Sequence, residues 1–377
     1  MRDVVIAGYA RSPFHLAGKG ALARVRPDDL AAQVVRALVV RTGVKADDIE
    51  DLLMGCAFPE GEQGFNIARL VGLLADLPQS VGGMTVNRFC GSSMSGIHYA
   101  AGQIALGAGE VFICAGVESM SRVPMMGFNP LPNPALMEKS AAYLGMGDTA
   151  ENVATKYGLS RAEQEAFAVL SQNKARDAIA AGRLVDEIVP ITSKGGTVDA
   201  DGTPRPDTTA DTLSGLKPAF SVTGTVTAGT SSPLTDGAAA VLVTSAAYAK
   251  ANNLSVLARI KSVAISGCAP EIMGIGPVAS SRKALERAGI SVADLDVVEL
   301  NEAFSSQSLA VIRDLGLDVS KVNIDGGAIA IGHPLGATGA RIVGKAAALL
   351  KREGGKYALA TQCIGGGQGI ATVLEAA

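Results

Sequence analysis

Residues 41–55, RTGVKADDIEDLLMG, align without a gap on residues 287–301, RAGISVADLDVVELN, at an offset of 246 throughout. Arg41 falls on Arg287, Gly43 on Gly289, Asp48 on Asp294 and Ile49 on Leu295. A repeat at this distance is far too long for a solenoid unit and implies two large halves of like topology. Cys90 and His333 stand 243 residues apart. Each follows a strand candidate (GMTVN and KVNI) and precedes a helix candidate rich in small residues, SSMSGIHYAAGQIALG and ATGARIVGKAAALLKREG. Apolar runs come next, VFICAG and YALATQ, the second ending at Cys363. The pattern predicts an α/β protein whose halves each place a reactive residue at a strand-to-helix turn, where backbone N–H groups point outward.

Those reactive residues lie in glycine-rich stretches: NRFCGSSMSG around Cys90, GGAIAIGHPLGATGAR around His333, and CIGGGQG at Cys363. A nucleophile or base needs backbone close beside it, and glycine lets backbone approach and turn sharply. The three stretches therefore read as one composite active site. Their setting is permissive, because 377 residues with 48% apolar content bury a sizeable core and divide into two or three domains.

Charge excludes several function classes. The net charge is −3 and Lys and Arg are scattered, so neither a nucleic-acid footprint nor a membrane-surface patch is expected. The partner expected is a small molecule. The opening MRDVVIAGYARSPF reads as a buried strand, no apolar run is long enough for a membrane span, and a cytoplasmic location is expected. Five cysteines without CxxC spacing argue against a disulfide framework and against zinc, and no metal is expected. Cys56, Cys114 and Cys268 read as packing residues, and His98 and His15 as packing or surface groups.

Between the halves the pattern changes. PMMGFNPLPNPALMEKS and KGGTVDADGTPRPDTT are proline- and turn-rich, whereas residues 149–182 are helical in period, with a capping box at Ser160 and Glu163 and a stop at Gly182. This predicts an excursion over residues 119–223 able to cover a cleft, with the chain re-entering strand at GTVTAGTSSPLTDGAAAVLVTS. The expected division is 1–118 plus 224–250, then 119–223, then 251–377.

The chain resembles a thiolase over essentially its whole length. The segments around Cys90, Asn301-Glu302-Ala303-Phe304, Gly332-His333-Pro334 and Cys363-x-Gly-Gly-Gly occur in order. The resemblance implies two duplicated βαβαβαββ halves in alternating α-β-α-β-α layers, with a loop domain inserted in the first. It also implies roles. Cys90 is the acyl-carrying nucleophile and His333 its base; Cys363 is the general acid and base at the substrate α-carbon. One oxyanion hole uses His333 with a water held by Asn301, the other the backbone N–H groups of Cys90 and Gly365. A free thiol is only a few per cent ionised at pH 7, so a helix N-terminus and a base are expected to activate Cys90. Contacts to coenzyme A are expected from Arg205, Thr212, Leu216 and Ser232, with Met146 and Phe304 near the acyl group. Coenzyme A is a substrate in this scheme and no cofactor is implied.

TAGTSS, RPDTT and the Gly145 that precedes Met146 resemble the degradative 3-ketoacyl-CoA branch, with acetoacetyl-CoA thiolase as the alternative. A decarboxylating condensing enzyme would replace the second cysteine, so Cys363 speaks against it; a non-catalytic CoA- or lipid-binding relative would not need Cys90, His333 and Cys363 together. A homodimer or homotetramer is implied, with a hydratase/dehydrogenase partner as a further possibility. Two departures stand out. Asp325 replaces a usual Asn and is expected to place a carboxylate near His333, and Ser305 replaces a usual Ala. Asn301 and Glu302 also have a plainer reading, as polar residues ending a strand.

Overall fold

The computed structural model describes residues 2–377. The first half runs β1 (Val4–Arg11), the short β2 (His15–Leu16), α1 (Pro27–Thr42), β3 (Asp51–Gly55), α2 (Ile67–Leu74), β4 (Gly82–Val86), α3 (Ser92–Leu106) and β5 (Val111–Ser119). An excursion follows with α4 (Pro134–Lys139), α5 (Met146–Lys156), α6 (Arg161–Ala180), a small hairpin β6 (Ile191–Ser193) and β7 (Gly196–Val198), and α7 (Ala210–Ser214). The chain returns through β8 (Thr235–Ser245) and α8 (Ala246–Ala251). The second half is β9 (Ala258–Gly267), α9 (Gly276–Ala288), β10 (Val297–Leu300), α10 (Ser305–Leu315), α11 (Ala328–Ile331), α12 (Leu335–Glu353), β11 (Tyr357–Ile364) and β12 (Gln368–Glu375).

The strands lie in the order β10-β11-β12-β9-β1-β8-β5-β3-β4, with β2 added on β8. β1 and β9 join the two runs through only two residue pairs, Val5 with Arg259 and Ile6 with Ala258. The halves can therefore fold over one another. α3 and α12 sit between them in one apolar cluster that takes Leu53, Phe112, Val241 and Val243 from the first run and Ala358, Ala360, Ile370 and Leu374 from the second. α1 and α2 cover the outer face of the first run, and α9 and α10 that of the second. Alternate residues of β5 go to opposite clusters, Val111, Ile113, Ala115 and Val117 outward and Phe112 and Cys114 inward. A strand buried on both faces reads as an unbroken apolar run, which is why VFICAG lacks alternation.

The repeat is visible in the backbone. α1 ends at Gly43 with φ 69° and α9 at Gly289 with φ 70°, both left-handed caps. Short turns at Ala46–Asp48 and Val292–Asp294 then lead into β3 and β10. Cys90 and His333 each stand two residues before their helix, α3 at Ser92 and α12 at Leu335.

Three expectations change in detail. KVNI is no strand: only Val322 bridges to Val298, and Asn323 is left-handed with φ 47°. The Asn323 side chain replaces the missing partner, accepting from the Leu300 N–H at 2.9 Å and donating to the Leu300 carbonyl at 2.8 Å. The helical stretch 149–182 is two helices parted at Gly158, with φ 58°, and the capping box at Ser160 starts the second. The return to strand waits until Thr235, because Thr227 and Thr230 tie the preceding residues into a capped turn.

Asn323→Ala would leave both buried Leu300 backbone groups unpaired, at about 1–3 kcal/mol for each stranded group. The urea midpoint should fall accordingly, and an unchanged midpoint would mean that water replaces the amide.

Candidate active site

Cys90 sits in the tight turn Phe89–Gly91 that feeds α3. Phe89 is held at φ 43°, an uncommon conformation for a bulky residue, and this turn leaves the buried sulfur facing two backbone N–H donors, its own and that of Gly365. Gln362 Nε2 donates to the Cys90 carbonyl at 2.7 Å, tying the turn to the strand that carries Cys363. Burial nevertheless dominates the thiol. It is pushed up to about 12, against the pull of the two N–H groups and with the nearby Glu118 carboxyl adding to the rise. Activation by a helix N-terminus, as the sequence suggested, is outweighed by desolvation, so the resting group is a thiol.

His333 enters from the other half. Gly332, at φ 106°, turns the chain against Thr235, whose Oγ1 accepts the His333 backbone N–H at 3.1 Å. The ring is fixed by Thr338: Nδ1 and Thr338 Oγ1 are 2.6 Å apart, and that hydroxyl donates to the Pro334 carbonyl at 3.1 Å. Donation of that hydroxyl to Pro334, and the Asn301 amide donor beside Nε2, both favour the tautomer with its proton on Nδ1 and a lone pair on Nε2. The Asn301 Nδ2 group lies 3.4 Å from that Nε2. Burial, with the Arg341 charge adding to it, lowers the His333 pKa to about 3, so the ring is neutral and able to accept a proton at ordinary pH.

Asp325 plays no part in this. Arg183, Lys345 and Arg352 hold its carboxylate, with Arg183 Nε at 2.8 Å and Lys345 Nζ at 2.8 Å, and the expected influence on His333 is corrected to that of Arg341. Ser305 begins α10 with a buried hydroxyl that has no partner among the described residues.

Cys363, near the end of β11, faces Gly369 across the hairpin with β12. Its thiol is raised well above the ordinary value, first by burial and next by the neighbouring Cys90. Phe304 and Met146 pack in its apolar cluster, and Phe220 meets Phe304 edge-on with ring centroids 5.9 Å apart. An open cleft of about 380 Å³ leads to Cys90 and Gly365. Its walls are mostly apolar: Phe58, Met125, Met126, Leu131, Leu144 and Met146.

Arg205, Thr212, Leu216 and Ser232 lie outside that cleft. The Arg205 guanidinium makes no ion pair among the described residues, while its backbone N–H donates to Gln172 Oε1 at 2.8 Å. Thr212 spends its hydroxyl on the cap of α7, Leu216 is half-buried, and the Ser232 N–H donates to the Ala303 carbonyl at 3.0 Å. Glu302 is buried and accepts from Ser171 Oγ at 2.6 Å and Asn323 Nδ2 at 2.8 Å, so it braces the loop and does not merely end a strand.

Sequence reasoning missed Thr338, Gln362 and Glu118. Glu118 is buried beside the Cys90 turn and accepts from Ala57 N at 2.8 Å, Gly336 N at 2.9 Å and Gln63 Nε2 at 3.0 Å, joining the loop after β3 to the first turn of α12. Thr338 had a signal, since a hydroxyl one turn into the helix after a histidine is placed to fix its tautomer. Gln362 and Glu118 had none, because their partners are far along the chain. Among the described residues no cluster of three His, Cys, Asp or Glu suits a metal ion.

The buried neutral His333 makes a sign-specific prediction. The unfolded ring takes a proton near its ordinary value of 6.5 and the folded one near 3, so its contribution is full above 6.5 and is lost as pH falls towards 3. The loss of unfolding free energy between pH 7 and pH 5 should be about 2 kcal/mol smaller in His333→Asn than in the parent. Equal losses in urea titrations of the two would refute the assignment.

Residues 4–247 match the thiolase N-terminal domain family and residues 254–376 the thiolase C-terminal domain family. The chain is 49% identical, over its whole length and theirs, to a 3-ketoacyl-CoA thiolase of Bacillus subtilis (strain 168), and 46% identical over the full length of both chains to one of Colwellia psychrerythraea (strain 34H / ATCC BAA-681). The crystal structure of human mitochondrial 3-ketoacyl-CoA thiolase in complex with CoA superposes with a TM-score of 0.92 at 39% identity, covering 100% of this chain and 98% of that one. With two domain matches that together span nearly every residue and a fold that superposes end to end, the chain belongs to the thiolase family.

Proposed function

We propose that this protein is a 3-ketoacyl-CoA thiolase, cleaving 3-ketoacyl-CoA with coenzyme A to acetyl-CoA and a shortened acyl-CoA. The observation that carries the reading is the union of three groups: the Cys90 sulfur facing two backbone N–H donors, the neighbouring Cys363 thiol, and a His333 whose Nε2 is left free to take a proton. His333 Nε2 removes the Cys90 proton as sulfur attacks the 3-keto carbon, since a buried thiol near 12 does not ionise alone. The developing alkoxide is stabilised by donors at the His333 and Asn301 side. The C2–C3 bond then breaks, Cys363 donates its proton to the departing enolate carbon, and the acyl group stays on Cys90. Incoming coenzyme A loses its thiol proton to the Cys363 thiolate and attacks the thioester, whose carbonyl oxygen lies against the Cys90 and Gly365 N–H groups. Cys90 leaves as thiolate and recovers a proton from His333. The base, the acid and both cysteines end as they began.

The apolar cleft favours substrates longer than acetoacetyl-CoA. Met125, Met126, Leu131 and Met146 give an alkyl tail a dry wall and provide nothing that rewards stopping at four carbons. On the CoA side, the guanidinium of Arg205 suits a phosphate, with Thr212 and Leu216 in the same excursion 119–223 and Ser232 just past its exit, where they would cover the nucleotide tail of the substrate. The division 1–118 plus 224–250 and 251–377 gives each half one reactive turn. No helix among the described residues is long and apolar enough to cross a membrane. A homo-oligomeric, cytoplasmic enzyme fits this reading, and a hydratase/dehydrogenase that makes the ketone is its natural partner.

Thiolysis of a C4 to C16 3-ketoacyl-CoA series should rise beyond C4, followed by loss of enolate absorbance. Activity confined to acetoacetyl-CoA would instead favour the condensing alternative. Cys363→Ala should still acylate from acyl-CoA while thiolysis falls by about 10²–10⁴. Near-normal turnover would remove Cys363 from its acid and base role. Thr338→Val, which frees the imidazole to choose the wrong tautomer, should lower kcat by about 10- to 100-fold, with Thr338→Ser restoring it. A loss shared equally by both variants would point to packing.

A further inference from the structure

A second cavity, of about 480 Å³, lies where β1, the end of α1, residues 183–187, the approach to β9 and the last turns of α12 meet. It is separate from the Cys90 cleft. Its α12 residues, Lys345 to Arg352, lie beyond the first two turns of the helix that His333 precedes, on the order of 20 Å from the imidazole at 1.5 Å per residue.

Five cations line it: Arg41, Arg183, Lys345, Lys351 and Arg352. Two of them have no carboxylate partner among the described residues. Arg41 donates only to the backbone carbonyls of Asp186 at 2.8 Å and Ile188 at 2.7 Å, and Lys351 to Ser255 Oγ at 2.9 Å and the Val256 carbonyl at 3.5 Å. Arg183, Lys345 and Arg352 share the carboxylate of Asp325, Arg352 also meets Glu353 at 2.7 Å, and Glu187 is divided between Lys345 and Arg11. With Asp186 and Glu187 also in the wall, the charge left without a carboxylate rests on Arg41 and Lys351. Beside the cations the wall is apolar, with Leu38, Leu257 and Leu349.

We propose that this cavity is a second ligand site, for a phosphate ester of small-molecule size. The phosphoryl oxygens would take the Arg41 and Lys351 donors, and the ester body would lie on the leucines. Arg41 and Lys351 lack the fixed anion that a structural ion pair would supply, and the volume exceeds what one inorganic phosphate fills. Lys345 sits in this wall on the same helix whose first turns hold His333 through Thr338, so an occupant would bear on the rigidity of α12.

Calorimetric titration of the full-length protein tests this, with ADP, pyrophosphate and inorganic phosphate as probes, each with and without saturating coenzyme A. The expected result is saturable 1:1 binding of ADP that survives coenzyme A and the Arg205→Ala change. Arg41→Ala combined with Lys351→Ala should weaken it at least about tenfold, as charge-assisted contacts are lost. These exposed side chains leave thiolysis and thermal midpoint as controls for folding. Tighter binding of ADP than of phosphate identifies an ester site, and equal binding a free-phosphate site, which would overturn the ester assignment. No saturable binding of any probe, or ADP binding abolished by coenzyme A and indifferent to the double change, would overturn the proposal; the cations would then serve only the C-terminal ends of α1 and α12.

Discussion

The close approach of α12 to α3 is the contact on which the molecule depends. Nearly every residue of α12 from Leu335 to Leu350 is buried, because the helix lies between two sheets and touches both. Such a position is open only to a helix with a thin face. A Cβ on Gly339 would stand 2.3 Å from the Met94 nitrogen of α3, well inside contact distance, so the two helices meet at backbone separation. That approach brings the turn before α3 and the turn before α12 together, and with them Cys90 and His333 from opposite halves. The gene-scale repeat thus becomes a site: duplication supplies two like turns, and close packing of the following helices makes them face one another.

The cost of this arrangement is paid in electrostatics. A helix buried on all sides cannot leave charges unpaired, and the buried stretch of α12 carries two. Arg341 meets Glu299 at 2.8 Å, and Lys345 meets Glu187 and Asp325, both at 2.8 Å. Arg341 is only partly satisfied, since its Nε and Nη2 find no partner among the described residues. Its residual charge is what His333 feels, in the same direction as burial. The turn therefore holds a neutral imidazole and a neutral thiol, and in the proposed mechanism the proton moves only when a carbonyl arrives to be attacked. An ion pair formed in advance would need solvation that this interior does not provide.

Much of the site was legible in the chain because its chemistry is local. Glycines beside Cys90, His333 and Cys363 announced turns, and the offset repeat announced two halves. The layered fold followed from apolar runs that had to be buried on both faces. What stayed hidden depends on partners distant in sequence. KVNI looks like a strand by composition, yet Asn323 takes a left-handed conformation and pairs with Leu300 through its side chain. Asp325 looked close to His333 because eight residues separate them, but the loop directs its carboxylate to Arg183, Lys345 and Arg352 instead. Gln362 lies beside Cys363 in the chain and still gave no hint of holding the Cys90 carbonyl, 272 residues away.

Glu118 shows how the two turns are kept in register. A carboxylate at the inner end of β5, completely desolvated, would be neutral if left alone, and burial does raise its pKa. It accepts instead from the backbone N–H groups of Ala57, Phe58 and Gly336 and from the Gln63 amide, so several donors share one acceptor. Gly336 belongs to the first turn of α12, and Ala57 follows β3, whose neighbour β4 leads to Cys90. One buried anion therefore fastens the first turn of the His333 helix to the sheet that carries the nucleophile. Its charge disfavours a Cys90 thiolate, which is tolerable because the mechanism never needs a free thiolate at rest.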